Sequence, residues 1–392
     1  MKYIEKLLNG AEVQWMPLGE VAELKRGRVI SKEYLYENVG DYPVYSSQTV
    51  NNGEIGKINT FDFEQKAITW TTDGANAGTI FYRDGRFSIT NICGLITIKD
   101  TQILSYKYLY YWLSIEAKKH VYSGMGNPKL MSNQMGKVPI PIPPLAVQEE
   151  IVRILDKFTT LEAELEAELD CRKRQYEYYR NQLLSLDVIN SKGHLNHVEV
   201  VTLGEIGTFV RGSGLQKKDF TPSGVGCIHY GQIYTYYGTC ADKTKSFVSY
   251  EFAQKARKAK TGDLIIATTS ENDDDVCKAV VWLGDDEIAV SSDACFYTHK
   301  MDPKYVAYYF QTDSFQKQKR SFITGTKVRR VNANDLAKIK IPIPPLAEQQ
   351  RIVSILDKLE ALTTSISEGL PKEIALRRKQ YEYYRNQLLS FA

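Results

Sequence analysis

The sequence lacks the features of a membrane-spanning or secreted protein. No stretch approaches the roughly 20 consecutive apolar residues that a spanning helix needs. The N-terminal residues include Glu5 and no small-residue cleavage site, so we expect no signal peptide. The cysteines form no CxxC pair, which favours reduced thiols over a disulfide frame or a zinc site. They are Cys93, Cys171, Cys227, Cys240, Cys277 and Cys295. We therefore expect a cytoplasmic protein.

The motifs of common enzyme classes are also missing. A phosphate-binding loop needs GxxxxGK[ST], but neither Gly56-Lys57 nor Gly136-Lys137 is followed by Ser or Thr. HExxH and GxSxG do not occur. A DNA adenine methyltransferase acting alone should carry [ND]PP[YFW], and the nearest string, residues 127–129, lacks the second proline and the aromatic residue. The sequence thus predicts no catalytic site, no cofactor and no metal, and any catalysis is expected from partners.

The chain does contain a long internal repeat. Its 392 residues suffice for two or three domains, and its net charge of +3 neither requires nor excludes nucleic acid. The stretch QYEYYRNQLLS occurs identically at 175–185 and 380–390. The stretch PIPIPPLAVQ at 139–148 returns as IPIPPLAEQ at 341–349, and LGE followed by Arg-Gly at 18–27 returns at 203–212. The chain is therefore a tandem duplication.

Each half has a globular segment, a proline-rich hinge and a long helix. Short β-rich runs alternate with Gly, Asn and Asp turn clusters, and helices are expected near 106–119 and 303–319, which predicts a mixed α+β fold. The predicted segments are 1–142 (globular), 143–188 (helical), 189–343 (globular) and 344–392 (helical).

Apolar residues recur every three or four positions from Ile151 and again from Ile352, as in a coiled-coil seam. Gly369 and Pro371 predict a kink or break in the second helix. Two tandem modules related by a pseudo-two-fold axis would pair these helices in antiparallel orientation.

The identical helix ends indicate identical partners. Seam packing alone accepts many substitutions, so it does not explain why polar residues recur together with the tyrosines. The candidate partner-binding residues are Tyr176, Glu177, Arg180 and Asn181, which return as Tyr381, Glu382, Arg385 and Asn386. The divergent globular segments would then recognise two different targets.

The order of globular segment, PIPPLAxQ hinge, long helix and YxYYRxxLL end, present twice, resembles the specificity subunits of type I restriction-modification systems. The resemblance covers essentially the whole chain. It implies two target recognition domains, each reading half of a split double-stranded DNA site. It also implies an antiparallel coiled coil that sets the spacing and docks two adenine-N6 methyltransferase subunits, with a restriction subunit in the full complex.

Basic residues cluster near the start of each half and before each hinge, where they could neutralise phosphates. The alternative for each is a solvated surface position. The candidates are Lys25, Arg26, Arg28 and Lys129 in the first half, and Arg211, Lys217, Lys218, Arg320, Lys327, Arg329 and Arg330 in the second.

Base readout needs polar side chains in loops, because amides, hydroxyls and carboxylates pair with base edges. The candidates are Ser46, Ser47, Gln48, Thr71, Thr72 and Asp73 in the first half, and Gln232, Thr268, Thr269, Ser270 and Asn272 in the second. Two further features also have a structural interpretation, which we favour. The acidic run 273–275 is either a cation site or a solvated turn, and the aromatic residues at 106–112 either stack on bases or fill the core.

Two rival hypotheses stay open at this point. The chain could be a coiled-coil scaffold that joins protein partners without binding DNA, although the paired basic segments argue against it. It could also be an enzyme with an unfamiliar site, which the missing nucleotide and cofactor loops disfavour.

Overall fold

The computed structural model describes residues 3–123, 126–186 and 198–391. The α-helices in these residues are α1 Tyr3–Leu8, α2 Leu18–Val21, α3 Lys32–Glu37, α4 Tyr106–Glu116, α5 Ser132–Met135, α6 Leu145–Leu183, α7 Leu203–Ile206, α8 Tyr230–Thr235, α9 Tyr250–Lys255, α10 Pro303–Phe310, α11 Asp313–Arg320, α12 Ala333–Leu336, α13 Leu346–Thr364 and α14 Leu370–Leu388. The expected boundary at 188–189 lies outside the described residues. Within them no helix is long and apolar enough to cross a membrane.

The strands of the first half are β1 Gln14–Pro17, β2 Ala22–Arg26, β3 Val39–Tyr45, β4 Glu54–Ile58, β5 Phe63–Glu64, β6 Ala67–Thr71, β7 Ile80–Arg83, β8 Arg86–Ile89, β9 Cys93–Ile98 and β10 Pro139–Ile142. Those of the second half are β11 Glu199–Thr202, β12 Gly207–Arg211, β13 Phe220–Thr221, β14 Val225–Ile228, β15 Cys240–Ala241, β16 Ser246–Val248, β17 Lys258–Ala259, β18 Leu264–Ala267, β19 Thr269–Ser270, β20 Ala279–Trp282, β21 Ile288–Val290, β22 Ala294–His299, β23 Arg329–Arg330 and β24 Lys340–Ile343.

The chain forms two compact units, and neither is a continuous half of the sequence. Unit 1 comprises Met1–Glu164 and Ile374–Ala392, and unit 2 comprises Leu165–Glu373. The division falls inside α6 and near the start of α14. Each unit therefore contains one globular segment together with the end of the long helix from the other half of the sequence.

The two units share one strand order. The main sheet of unit 1 is β2-β9-β6-β7, and that of unit 2 is β12-β22-β18-β20 with β15 added at the edge. The central strands β6 and β18 are buried along their whole length, as expected for strands covered on both faces. Each unit has a second sheet, β4-β3-β8-β5 in unit 1 and β13-β16-β14-β21-β17 in unit 2.

The proline hinges are held by buried polar side chains. Each hinge strand pairs with the strand that opens its globular segment, β10 with β1 and β24 with β11. The Tyr108 hydroxyl donates to the Pro141 carbonyl at 2.8 Å, and the Tyr305 hydroxyl donates to the Pro342 carbonyl at 2.9 Å. Tyr108 is fully buried, which confirms the core interpretation for this tyrosine of the 106–112 cluster.

The long helices differ between the two halves. In the first half α6 runs without interruption for 39 residues. In the second, α13 ends at Thr364 and α14 begins at Leu370, with Gly369 at a φ of +82° that favours glycine. The predicted break is confirmed.

Within unit 1 the beginning of α6 packs against α14. The Phe158 ring stacks on Tyr384 with centroids 5.3 Å apart, and Glu162 forms an ion pair with Arg378. Because the later residue of α6 meets the earlier residue of α14, the two helices are antiparallel, as predicted.

Candidate nucleic-acid interface

An arginine-glycine step ends the first strand of each main sheet. At Gly27 an added Cβ would lie 1.9 Å from the Ile89 carbonyl oxygen, and at Gly212 it would lie 2.2 Å from that of Ser291. No other residue fits such an approach of two backbones. The repeated Arg-Gly pair thus has a steric cause, and it brings Arg26 and Arg211 to corresponding places in the two units.

In unit 1 the structure brings several predicted readout residues together. The Ile92 carbonyl accepts hydrogen bonds from the hydroxyls of both Ser47 and Thr72. Arg26 Nη2 donates to Thr72 Oγ1 at 2.8 Å. Asp73 lies opposite Lys129 in an antiparallel bridge. Two hydroxyls, a guanidinium, a carboxylate and an ammonium group therefore lie on neighbouring segments.

Other predicted residues of unit 1 are used internally. Ser46 is 8% exposed and its hydroxyl lies 2.9 Å from that of Thr90. Thr71 is fully buried and its hydroxyl donates to the Asn76 carbonyl. The Gln48 amide donates to the Glu54 carbonyl. These contacts shape the two loops that carry the half-buried Ser47 and Asp73, and Thr72 is itself fully buried.

Two of the predicted phosphate contacts in unit 1 have acidic neighbours. Lys25 forms an exposed ion pair with Glu23 at 3.0 Å. Arg28 forms one with Asp62 at 3.0 Å, and its guanidinium lies over the Tyr34 ring. The acidic partners therefore partly offset the positive charges of Lys25 and Arg28, although an exposed ion pair adds little stability.

In unit 2 the matching position is open. A cavity of about 350 Å³ is lined by Arg211, Thr268, Thr269, Arg330 and Asn332, among others. Strand β19 pairs with β23 so that Thr269 faces Arg330 and Ser270 faces Arg329. Thr269 is 7% exposed and its hydroxyl has no hydrogen-bond partner among the described residues.

The acidic run of unit 2 is bound to neighbouring arginines. Asp273 accepts from Arg329 at 2.8 Å, and Asp274 lies 3.6 Å from Arg320. Asn272 bonds to the Asp275 carboxylate at 2.7 Å. The described residues contain no group of three or more acidic, His or Cys side chains placed to hold a metal ion.

The remaining predicted residues of unit 2 divide into exposed lysines and a half-buried amide. Lys217, Lys218 and Lys327 are exposed, and no salt bridge to them is found within the described ranges. The Gln232 side chain accepts from the His229 amide at 3.0 Å and donates to Ser246 at 2.7 Å. It thus closes the first turn of α8.

The identical helix ends pack differently on their two units. In unit 2, Tyr176 is buried, Arg180 donates to Gln311 at 3.2 Å, and Asn181 accepts from the Asp313 amide at 2.8 Å. In unit 1, Tyr381 and Arg385 are half-buried and in contact with each other, and Asn386 is exposed.

Two exposed aromatic residues in these ends were not among the predicted partner-binding residues. Tyr178 and Tyr383 are both 60% exposed, beside the exposed carboxylates of Glu177 and Glu382. Their distinguishing signal is position, because they lie off the apolar seam and yet are identical in both copies.

Comparison with known proteins gives a consistent result. The family described as type I restriction modification DNA specificity domain matches the chain twice, at residues 11–170 and 196–376. The specificity subunit of the type I restriction enzyme EcoR124I/EcoR124II of Escherichia coli is 33% identical, with 100% of this chain and 97% of the relative covered. A putative type I restriction enzyme specificity subunit of Haemophilus influenzae is 32% identical over 100% of this chain and 98% of the relative.

Two solved structures share the fold over both units. The type I restriction-modification S subunit from M. genitalium matches with a TM-score of 0.57 at 16% identity, over 98% of each chain. A chain from a study of assembly and conformational transition of the type I restriction-modification system matches with a TM-score of 0.59 at 16% identity, over 97% of this chain and 98% of that one. The predicted α+β fold class is confirmed, and the family match, which covers most of both halves, decides the assignment: the chain belongs to the type I restriction-modification specificity subunits, a family whose domain recognises DNA.

Proposed function

We propose that this chain reads an asymmetric, bipartite double-stranded DNA site, one half-site with each globular segment. It docks two adenine-N6 methyltransferase subunits and, through them, a restriction subunit, and it works in the cytoplasm without a catalytic site or cofactor of its own. In this proposal 1–142 and 189–343 are the target recognition domains, and 143–188 and 344–392 are the helical spacers.

The observation that carries the proposal is a shared framework with different side chains. Both units have an arginine-glycine step beside a backbone-bonded threonine, with Thr72 bonded to Ile92 in unit 1 and Thr268 bonded to Asp293 in unit 2. In both, a basic residue lies opposite the following segment: Lys129 faces Asp73, and Arg330 faces Thr269. Equivalent surfaces that differ in their polar groups suit two half-sites of different sequence.

The distribution of charge suggests how the DNA is held. Arg26, Lys129, Arg211 and Arg330 border these surfaces and would contact phosphates, so affinity should fall as salt rises. The buried Ser46 and Thr71 would support the readout loops, and the half-buried Ser47 and Asp73 in unit 1 and Thr268 in unit 2 are better placed to meet base edges.

The first experiment is long-read sequencing of native DNA from cells with the gene, without it, and with it restored. We expect N6-methyladenine at one split, asymmetric motif to disappear and return with the gene. If the restored gene carries Asp73→Ala, the preference at one half of the motif should change, and if it carries Thr268→Val, the preference at the other half should change. Methylation that persists without the gene, while the partner subunits are expressed, would favour the scaffold hypothesis instead.

Docking is supported by the exposed identical residues on the helix ends. An exposed residue is not constrained by packing within the chain, so the recurrence of Glu177 with Tyr178 as Glu382 with Tyr383 suits a partner surface used twice. Exposed tyrosines are common anchors in protein interfaces.

The same complementation tests docking. The double variant Tyr178→Ala and Tyr383→Ala should lower methylation at the whole motif without altering its sequence, and should reduce copurification of the methyltransferase subunit. The matched control is Tyr250→Ala, because Tyr250 is 71% exposed and lies outside the helix ends. Equal copurification of both variants would contradict the docking surface.

A further inference from the structure

A buried arginine that forms no salt bridge with any carboxylate of the described residues lies in unit 1. Arg83 ends strand β7 and is only 3% exposed. Its Nε donates to Thr69 Oγ1 at 3.0 Å and its Nη2 donates to the Asn52 carbonyl at 2.9 Å. Its Nη1 is buried with no hydrogen-bond partner among the described residues. Burial lowers the pKa of Arg83, as expected when a charge loses water.

This arginine contacts both ends of the loop that carries Ser46, Ser47 and Gln48. At the start of the loop its guanidinium lies 3.5 Å from the centroid of the Tyr45 ring. At the end of the loop it bonds to the Asn52 carbonyl. The rigid, planar guanidinium of one side chain therefore fixes the separation between the two ends of the loop.

The end of that loop is conformationally unusual. Asn51 and Asn52 have φ values of 50° and 53°, and Gly53 follows at 81°. Three consecutive residues in the left-handed region persist only where the surroundings hold them. At Gly53 an added Cβ would lie 3.1 Å from Arg83 Nη2, so the arginine is part of those surroundings.

Unit 2 provides an internal comparison. Thr72 and Thr268 occupy matching places, as their amides bond to the carbonyls of Ile92 and Asp293. Five residues before each threonine, Ala67 pairs with Arg83, whereas the Asp263 carbonyl accepts from the Trp282 amide at 2.9 Å. Trp282 is 3% exposed and packs among apolar side chains.

The fold therefore accepts an apolar side chain at the position of Arg83. A buried, unpaired charge is costly, and an apolar replacement of similar size is often neutral or stabilising. In unit 2 the matching segment after β14 is the short helix α8 rather than a left-handed loop. Unit 1 has the left-handed loop and an arginine at this position, whereas unit 2 has neither. This difference argues for a role of the arginine in the loop rather than in the sheet.

We propose that Arg83 is a positioning residue that holds residues 46–53 in the shape required for sequence readout, and so determines the preference of unit 1 for its half-site. This inference rests on the proposed function of the loop. Arg83 itself need not touch DNA.

The test uses the full chain assembled with its methyltransferase subunits and a DNA library randomised at each half-site. With Arg83→Met, discrimination between the preferred half-site of unit 1 and its single-base variants should fall about 10-fold, the order of one base contact. Preference at the other half-site should be unchanged. Arg83→Lys keeps the charge but cannot reach Thr69 and Asn52 together, so it should show a smaller loss.

The control is Arg86→Met, the same change at an exposed arginine of the next strand, which bonds to Glu64. It should leave both preferences as they are. Hydrogen–deuterium exchange on the isolated chain adds a readout independent of DNA, in which amides of 46–53 should exchange faster in the Arg83 variants while those of β6 do not. If Arg83→Met is too unstable to assemble, both half-site discrimination and hydrogen–deuterium exchange are measured on Arg83→Lys.

Two failures can be told apart. If the wild-type complex marks no split motif, the proposed function fails. If it marks one, and the Arg83 variants keep the wild-type preference and loop exchange, the positioning role is overturned and Arg83 only fills space.

Discussion

His299, whose two ring nitrogens are buried, shows how one side chain can couple the stability of unit 2 to pH. It ends strand β22, with its ring 4.9 Å from that of Tyr297. Burial lowers the pKa of His299 from 6.5 to about 4, because the charged imidazolium loses its hydration. The folded chain therefore keeps this imidazole neutral at pH values where the unfolded chain protonates it.

We expect this histidine to make unit 2 less stable in mild acid. As the pH falls below 6.5 the unfolded state binds the proton first, so stability is lost between pH 6.5 and about 4. Between pH 7 and 5 the loss should be about 2 kcal/mol. Urea unfolding of His299→Phe should lack this loss, and the two proteins should share one pH dependence above pH 7.5. An identical acid loss in the variant would refute the assignment.

At the scale of elements, the repeated hinge motif is explained by its glutamine. Gln148 accepts from the Ser105 amide at 2.9 Å and donates to the carbonyls of Ile103 and Pro143. Gln349 accepts from the Asp302 amide at 2.9 Å and donates to the Pro344 carbonyl at 2.8 Å. In both units the glutamine side chain joins the start of the long helix to the N-cap residue of a globular helix, α4 in unit 1 and α10 in unit 2. This shared contact explains why the glutamine recurs.

Removing this amide should cost stability without changing shape. Gln148→Leu leaves one buried amide and two carbonyls without their partner, which should lower the free energy of unfolding of unit 1 by roughly 2–4 kcal/mol. Gln102→Leu is the control, since Gln102 is an exposed residue of the adjoining turn. The midpoints of urea unfolding compare the two variants. If both changes lower the midpoint by the same small amount, the Gln148 amide does not stabilise the hinge.

At the scale of the whole molecule, the two units each use the helix end of the other half. Leu184 and Leu389 hold the same place in the repeated stretch and are 1% and 3% exposed. Leu184 belongs to the core of unit 2, and Leu389 belongs to the core of unit 1. The last residues of the chain thus stabilise the first globular segment.

The same leucine-to-alanine change should therefore destabilise unit 2 when it is made at Leu184 and unit 1 when it is made at Leu389. Leu184→Ala and Leu389→Ala should each cost about 2–5 kcal/mol, the range for buried leucine truncation. Hydrogen–deuterium exchange should rise in β18 for Leu184→Ala and in β6 for Leu389→Ala. Each variant serves as the control of the other, and loosening of the same unit by both would contradict the division.

Much of the architecture followed from local patterns. Spacing of apolar residues predicted the long helices, and the lost amide of Pro371 with the backbone freedom of Gly369 predicted the break after α13. Part of the candidate site followed as well, because Thr72 and Asp73 come directly after a buried strand. The burial of Ser46, Thr71 and Thr72 did not follow, since polar residues in loops and at strand ends are usually exposed and only the packing of distant segments covers these three.

Residue order and local periodicity were sufficient to predict the duplication, the α+β class and the family. Which helix end packs on which globular segment became clear only from the three-dimensional structure. The two stretches are identical, so either could fit either core by its own residues. In unit 2 the end of α6 meets Gln311 and Asp313, which bond to Arg180 and Asn181, and these contacts join residues far apart in the sequence. The role of Arg83 also needed the structure, because a charged residue at the end of a short strand predicts an exposed side chain until its burial is seen.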